Sequence, residues 1–145
     1  MIKKLSIAFL VLTFLGFLDA AYLTIIHYKN TIPPCTIAHG CETVLTSKYA
    51  TLGPVPIALI GVGFYLAILI LTGMLLQGKN SLKIFNYQFS IINLLILLTG
   101  SGVIVAGSLV YLQAFVLHAF CQYCLASEAI DILLFLTALQ LRKSN

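Results

Sequence analysis

Four long apolar stretches dominate the sequence, at residues 5–26, 55–77, 88–117 and 121–141. Each meets or approaches the ~20 residues that a helix needs to cross ~30 Å of hydrocarbon. Charged residues make up only 8% of the chain, which is about a third of the ~25% typical of soluble domains. The sequence therefore predicts an all-α membrane protein, a single domain over residues 1–145 built as a bundle of four transmembrane helices.

The ends of these stretches need separate arguments. The third is longer than one crossing and is expected to tilt, kink or project beyond the hydrocarbon, whereas the fourth crosses only if it begins near Cys121. The first follows two lysines and could be a secretory signal peptide. Because its apolar run continues to Ile26, a retained membrane anchor is the better interpretation.

The lysines and arginines predict the orientation of the bundle. If the four stretches cross in turn, Lys29 and Lys48 fall on one side and six basic residues on the other: Lys3, Lys4, Lys79, Lys83, Arg142 and Lys143. By the positive-inside rule both termini are cytoplasmic, residues 78–86 form a short cytoplasmic turn, and the loop of residues 27–54 is extracytoplasmic. Because the basic residues sit at segment ends, the net charge of +4 does not indicate nucleic-acid binding. Residues 42–50 of the outer loop are expected to form a short helix that lies on the bilayer surface as a lid.

All four cysteines fall on the predicted extracytoplasmic side, where disulfides form and persist. Cys35 and Cys41 lie in the outer loop, and Cys121 and Cys124 stand three residues apart where the fourth helix is expected to begin. A helix N-terminus stabilises a thiolate, and a CxxC sequence there is typical of thiol-exchange catalysts. The two pairs are therefore interpreted as a relay in which thiolate attack passes two electrons from the loop pair to the helix pair.

Other readings of the cysteines stay open at this point. Both pairs could be static disulfides, or one static bridge could join the loop to the fourth helix. The four thiols, together with His39, could also hold zinc. Attachment of a c-type haem is excluded because Leu125 occupies the position where a histidine is required.

A relay needs a terminal electron acceptor. The CxxC borders a predicted bundle interior of Leu, Ile, Phe and Tyr side chains, and the sequence contains no metal or nucleotide motif. A lipid-soluble quinone fits such an interior because helix bundles commonly bind cofactors between their helices. Quinone is the predicted cofactor, and no metal is expected.

Several short segments, taken together in this order, resemble one known family. They are residues 21–24 with His27, Cys35-x5-Cys41, residues 41–50, residues 53–61 and residues 121–127. In this combination the chain resembles the vitamin K epoxide reductase family, specifically its bacterial disulfide-forming branch. The resemblance covers nearly the whole chain. It implies a four-helix bundle in the bacterial inner membrane that encloses a quinone and opens toward the outer face.

The resemblance also implies a role for each cysteine. Cys124, the helix cysteine nearer the quinone, would reduce it, whether ubiquinone, menaquinone or a similar molecule. Cys121 would accept the attack from a loop cysteine. Cys41 would exchange with a thioredoxin-like or DsbA-like partner, and Cys35 would pass electrons to Cys121.

Ser47 matches a serine or threonine that the family places near the active site.

Departures from the family pattern narrow the expected reaction. Vertebrate members hold the vitamin K carbonyls with an asparagine and a tyrosine. Here Glu128 stands where that tyrosine would be, and no matching asparagine precedes Gly61, so reduction of a respiratory quinone is preferred to epoxide reduction. Many bacterial relatives carry a fused thioredoxin-like domain; this chain stops at Asn145, so the partner is expected to act in trans.

Three acidic residues, Asp19, Glu128 and Asp131, are predicted at membrane depth, where a charge costs at least ~2.5 kcal/mol. Glu128 is four residues after Cys124 and so lies on the same helical face, about 6 Å deeper. Quinone reduction consumes two protons, and a carboxyl below Cys124 could relay them. Glu128 and Asp131 are therefore candidates for a proton relay, with Cys124, Ser47 and Glu128 as candidate quinone contacts. The alternative is that these acids are protonated or hydrogen-bonded and serve packing alone.

Rival functions remain at this stage. A non-enzymatic membrane protein would use the same cysteines as structural disulfides, and a vitamin K quinone or epoxide reductase would share the bundle. A DsbB-type protein also has four helices and two cysteine pairs, but its CxxC belongs in the first outer loop. The order here argues against it.

Overall fold

The computed structural model describes residues 2–145, so Met1 of the predicted domain lies outside the described residues. Four helices are long and apolar enough to cross a membrane: α1 (Ile2–Tyr28), α3 (Ile57–Leu76), α4 (Ile91–Tyr111) with the π-helix that continues it (Leu112–Val116), and α5 (Gln122–Ser144). The predicted four-helix membrane bundle is confirmed. Short elements join these helices, namely α2 (Cys41–Leu45), a 3-10 helix (Lys48–Ala50) and the strands β1 (Thr51–Leu52), β2 (Val55–Pro56), β3 (Ser81–Ile84) and β4 (Tyr87–Ser90).

The core of the bundle takes side chains from all four spanning helices. α1 packs against α3 and α5, and α4 packs against α5 and, less extensively, α3. Phe9, Ile68, Leu95 and Leu134, one from each helix, are all fully buried in one apolar cluster. Many large apolar side chains instead point outward from every helix, as is expected for a surface that faces lipid rather than water.

Buried threonines inside the spans satisfy their own hydroxyls. Thr13, Thr24, Thr72 and Thr99 each donate to the carbonyl four residues earlier, over 2.7–2.8 Å. This local bonding removes the penalty of placing a hydroxyl in an apolar interior. The spans therefore carry these threonines without needing a partner on another helix.

The outer loop contains the predicted short helix, but in two pieces. Residues 42–50 divide into α2 and the 3-10 helix because Thr46 and Ser47 bond back to the chain: their hydroxyls donate to the carbonyls of Glu42 and Val44 and end the first helix there. β1 and β2 then form a small antiparallel pair around Gly53, whose φ is +64°. Because Val55 and Pro56 belong to this pair, the second span begins at Ile57 rather than at residue 55.

The connection between α3 and α4 differs from the predicted short turn of residues 78–86. It is a β-hairpin in which β3 pairs antiparallel with β4, from Ser81 opposite Ser90 to Ile84 opposite Tyr87. The two turn residues, Phe85 and Asn86, both have positive φ, the geometry that matches the twist of a two-residue hairpin. The third span accordingly begins at Ile91, not at residue 88.

The third span is longer than one membrane crossing, and at its C-terminal end the α-helix changes into a wider helix. α4 passes into the π-helix, where the N–H of Leu117 donates to the carbonyl of Leu112 over 2.8 Å. His118 follows with φ of 50°, and the chain turns back toward α5. Cys121 is the N-terminal capping residue of α5, which begins at Gln122.

Candidate active site

The CxxC lies where the fourth helix was expected to begin. Cys121 is in an extended conformation immediately before α5 and is fully buried, while Cys124 lies within the first turn and is half-buried; both are free thiols. Hydrogen bonds from the Cys124 thiol and from the backbone N–H groups of Cys124 and Tyr123 lower the pKa of the Cys121 thiol to about 7, although burial opposes them. Cys121 is thereby prepared to act as a thiolate.

The loop pair is a disulfide between Cys35 and Cys41. Its two sulfurs differ in environment: Cys41 is fully buried, whereas Cys35 is half-buried. Cys41, Val44 and Cys121 form one buried cluster, and the partly buried Cys35 and Cys124 pack against it. The fold therefore brings one cysteine of each pair together away from water and leaves the other loop cysteine nearer the surface.

Hydrogen bonds hold the loop on the CxxC. The side-chain oxygen of Gln122 accepts the N–H groups of Thr36 and Ile37, at 3.1 and 2.8 Å. The hydroxyl of Tyr123 donates to the carbonyl of Pro34 over 2.8 Å. Gln122 and Tyr123 are the two residues between the cysteines, so the motif itself supplies these contacts.

Gly40 makes the closest approach of the loop. Its N–H donates to the carbonyl of Phe120 over 3.1 Å. A Cβ at this position would lie 2.6 Å from the backbone nitrogen of Phe120 and 2.8 Å from its carbonyl oxygen, distances that no side chain can adopt without moving the backbone. Only glycine permits this contact.

A cavity of about 960 Å³ lies between the helices and reaches the CxxC. Its wall is mostly apolar, and Cys124 lies at its border, as do Ser47 from the loop and several polar side chains from the spans. Three of the four acidic residues of the chain, Asp19, Glu128 and Asp131, line it. The predicted polar residues are thus brought together around one cavity.

Some carboxyl oxygens of these acids have hydrogen-bond partners and others have none. Tyr65 donates to Asp131 Oδ1 over 2.8 Å, and its hydroxyl oxygen lies 2.8 Å from the Ser127 hydroxyl. Glu128 Oε1 accepts the Gln113 amide over 3.0 Å. Among the buried side-chain oxygens and nitrogens of residues 2–145, only Asp19 Oδ2 and Glu128 Oε2 have no partner.

The cavity fits the quinone that the sequence predicts. Its size and apolar wall suit a lipid-soluble ring, and the two unpartnered carboxyl oxygens can donate a hydrogen bond to a ring carbonyl when they carry a proton. Cys124, Ser47 and Glu128, the predicted contacts, all border it. Within the described part of the chain, no three His, Cys, Asp or Glu residues stand close enough to hold a metal ion.

Sequence reasoning missed two residues of this site, Gln113 and Ser127. Gln113 is almost fully buried inside a span. Burying an amide within an apolar span is costly unless the amide is paired, so Gln113 could have been singled out by its position in the third stretch. Ser127 had no comparable signal, because serine also occurs in spans for packing. For Tyr65 the sequence left open whether it lines the cavity or belongs to an aromatic belt at the membrane surface, and the structure places it at the cavity.

The sequence profile of the vitamin K epoxide reductase family matches residues 7–139. The chain belongs to this family. A comparison with curated proteins finds no match. Vitamin K epoxide reductase family membership makes the protein a membrane thiol oxidoreductase, and proteins of this family generally use a quinone and act with thioredoxin-like partners. The predicted resemblance is confirmed over nearly the whole chain.

The Gly40 contact predicts how the loop protects Cys121. In Gly40→Ala the added methyl group must displace the loop from Phe120, at a cost of about 1–3 kcal/mol, so the undocked fraction should rise by about five- to 150-fold. Alkylation of Cys121 by a water-soluble maleimide, followed by peptide mass spectrometry, should accelerate accordingly. Gly63→Ala is the matched control, because nothing lies within 4 Å of a Cβ there. Equal Cys121 alkylation rates in the two variants would contradict this account of docking.

Proposed function

We propose that the protein carries two electrons from an extracytoplasmic thioredoxin-like or DsbA-like partner, acting in trans, to a membrane quinone. The observation that carries this proposal is the buried cluster that joins Cys41 to Cys121, with Cys124 on the adjoining cavity. A structural role for two static disulfides does not require one cysteine of each pair to meet in this way. The bonded loop pair and free helix pair correspond to the stage after electrons have reached the CxxC.

We propose cysteine roles opposite to those that the resemblance implied, on the ground that Cys41 is the more deeply buried of the two loop cysteines. Cys35 is half-buried and so is the sulfur that a partner thiolate can attack, which releases the Cys41 thiolate. Cys41, buried beside Cys121, then attacks the Cys121 sulfur of the Cys121–Cys124 disulfide. A Cys41–Cys121 bond forms, the Cys121–Cys124 bond breaks, and the Cys124 thiolate leaves.

Cys35 completes the transfer. The second thiol of the partner displaces Cys35 from the mixed disulfide, which oxidises the partner. The Cys35 thiolate then attacks Cys41, so that the loop disulfide forms again and Cys121 is released as a thiolate. Two electrons have passed from the partner to the helix pair, and the loop pair is ready for another cycle.

Cys124, Ser47 and Glu128 would hold the quinone at the end of the cavity nearest the CxxC. A bound quinone supplies a two-electron acceptor, and it takes up the two protons that Cys121 and Cys124 lose as they form a disulfide. Glu128 lies one helical turn from Cys124, and its free Oε2 can receive the thiol proton and release it into the cavity. Asp131, bonded to Tyr65, lies a further turn along as the second member of a proton relay.

The reaction is expected at the outer face of the bacterial inner membrane, with both termini cytoplasmic and the cysteines extracytoplasmic. A respiratory quinone such as ubiquinone or menaquinone is favoured over vitamin K epoxide. The support is that Glu128 borders the cavity at the position where the vertebrate members carry the tyrosine that holds a vitamin K carbonyl. The unpartnered carboxyl suits proton delivery better than recognition of an epoxide.

Two double variants test which loop cysteine reaches Cys121. Cys35→Ala with Cys124→Ala leaves Cys41 and Cys121, whereas Cys41→Ala with Cys124→Ala leaves Cys35 and Cys121. Under the same mild oxidant, the first should form its bridge about tenfold faster or more, because Cys41 is fully buried in the cluster with Cys121 whereas Cys35 is only partly buried against it. Gel mobility after maleimide labelling measures both rates. Faster bridging in the second variant would restore the opposite assignment.

The overall activity is tested by anaerobic mixing of the oxidised protein with a reduced DsbA-like protein and a short-chain ubiquinone or menaquinone. Quinol, followed by ultraviolet absorbance, should form with wild type and fall to background in Cys124→Ala, because the sulfur at the cavity is lost. Absence of quinol from wild type, with both cysteine pairs resistant to mild reductant, would support the structural-disulfide alternative instead.

A further inference from the structure

Gln113 connects the CxxC to the buried acid of the cavity. Its side-chain oxygen accepts the backbone N–H of Cys121 over 2.9 Å, and its side-chain nitrogen donates to Glu128 Oε1 over 3.0 Å. The backbone carbonyl of Gln113 accepts the N–H of Ala119 over 3.0 Å. With only 2% of its surface exposed, this amide is fully engaged by protein groups on both sides of the turn that precedes α5.

The bond to Cys121 determines which way the amide points. A backbone N–H can only donate, so the amide oxygen must face Cys121 and the NH₂ group must face Glu128. Glu128 Oε1 therefore serves as an acceptor whether or not the carboxyl is protonated. A proton on this carboxyl then belongs on Oε2, the oxygen that has no partner, and Glu128 is one of the residues that line the cavity.

The π-helix is what brings Gln113 to this place. The Leu117–Leu112 hydrogen bond spans five residues, so the Leu112–Val116 segment holds one more residue in its turn than an α-helix would. π-turns of this kind occur frequently at functional sites because they redirect a side chain. The apolar sequence around Gln113 gives no local reason for such a turn, whereas the pairing with Glu128 and Cys121 does.

We propose that Gln113 is a positioning residue that keeps the transferable proton of Glu128 on Oε2 and fixes this carboxyl relative to the CxxC. The inference rests on the proposed function, since it concerns the proton that the Cys124 thiol loses. Gln113 exchanges no proton itself. It acts through Glu128, so its removal should matter only as long as Glu128 is present.

A double-mutant cycle tests this dependence. Gln113→Met keeps the shape of the side chain but removes both of its hydrogen bonds, whereas Glu128→Gln keeps a partner for Gln113 but carries no proton. Each single variant should lower kcat for quinol formation about ten- to a hundredfold, with a smaller change in KM for quinone. The double variant should be no slower than Glu128→Gln alone. Gln140→Met, at an exposed position of α5, is the control for the substitution itself.

Two further measurements need no quinone. The infrared carbonyl band of the protonated Glu128 carboxyl, assigned by its loss in Glu128→Gln, should shift in Gln113→Met because the hydrogen bond to Oε1 is gone. When Gln113→Met is added to the Cys35→Ala, Cys124→Ala protein, formation of the Cys41–Cys121 bridge should slow far less than quinol formation does. An unshifted band, additive losses in the double variant, or an equally slowed bridge would overturn the inference. If the Cys35→Ala, Cys124→Ala protein forms no bridge and wild type forms no quinol, the proposed function has failed instead.

A second inference concerns the hairpin of β3 and β4, at the opposite end of the bundle from the cysteines. Its register places Leu82, Ile84, Tyr87 and Phe89 on one face, because Leu82 opposes Phe89 and Ile84 opposes Tyr87. The other face carries polar residues: Ser81, Lys83, Gln88 and Ser90. The hairpin is therefore amphipathic, although most of its apolar face is exposed.

Contacts at the base of the hairpin set where it lies. β4 runs into α4 without a linker, and the N–H of Ile91 donates to the carbonyl of Asn80 over 3.1 Å, so the base coincides with the end of a spanning helix. Leu82 packs against the buried core. The remaining apolar residues, Ile84, Tyr87 and Phe89, share its face and are exposed. At the tip, Phe85 is 92% exposed.

We infer that the occupant of this face is the bilayer interface, with aromatic rings among the lipid headgroups and upper acyl chains and Lys83 directed away from them. Aromatic side chains are favoured at this depth because their rings are apolar yet polarisable and, in tyrosine, carry a hydroxyl that can reach water. The inference is independent of the thiol chemistry.

The chain contains no tryptophan, so a single introduced tryptophan reports from one site. Tyr87→Trp and Phe85→Trp proteins, reconstituted in phosphatidylcholine–phosphatidylglycerol vesicles, should lose fluorescence when the lipids carry brominated acyl chains. Gln88→Trp, on the polar face, is the control and should be quenched by aqueous iodide instead. Iodide quenching at positions 85 and 87 without bromolipid quenching would overturn the inference and leave the face open to water or protein.

Discussion

The site depends on the contact between the outer loop and residues 120–123. This loop has little regular structure of its own, so its backbone groups need partners if any part of it is to be buried. Phe120, Gln122 and Tyr123 supply those partners, and the glycine at position 40 allows the backbones to meet. Once docked, the loop covers Cys121 with Cys41 and Val44. Thiol exchange is thereby directed between two sulfurs that water and foreign thiols do not reach.

The interior of the bundle treats its polar groups in two ways. Threonines close their own hydrogen bonds within a helix and make no demand on the cavity. The acids are different, because two of them keep an unpartnered oxygen at a cost that packing alone gives no reason to accept. Polar groups left unsatisfied in an otherwise satisfied interior are typical of a place where a ligand or a proton is handled.

The four spans followed from the sequence because long apolar runs have few alternatives. Residues 81–90 did not, since the adjacent apolar stretch masked the alternation of Leu82, Ile84, Tyr87 and Phe89, which only strand pairing explains. The division of residues 42–50 into two helices depends on hydrogen bonds from the Thr46 and Ser47 hydroxyls. The spacing of apolar residues in the sequence does not predict such bonds. Cysteine spacing predicted the two pairs, but not which loop cysteine is buried, because that depends on how the loop folds onto α5. Gln113 needed the π-helix, which arises from contacts between α4 and α5 rather than from local preference.

The two residues inside the CxxC have a consequence for how such a motif can change. Among soluble exchange proteins that carry a CxxC, the cysteine pKa and the reduction potential differ widely from one protein to another. Here Gln122 accepts hydrogen bonds from the loop backbone, and Tyr123 donates to Pro34 and has its ring centroid 5.6 Å from that of Tyr22 of α1, with the two rings tilted by 49°. A substitution at either position that changes the reduction potential would also change how the loop covers the thiols. Substitutions in the cavity wall around Cys124 are the remaining way to change the reduction potential of the CxxC without disturbing the loop.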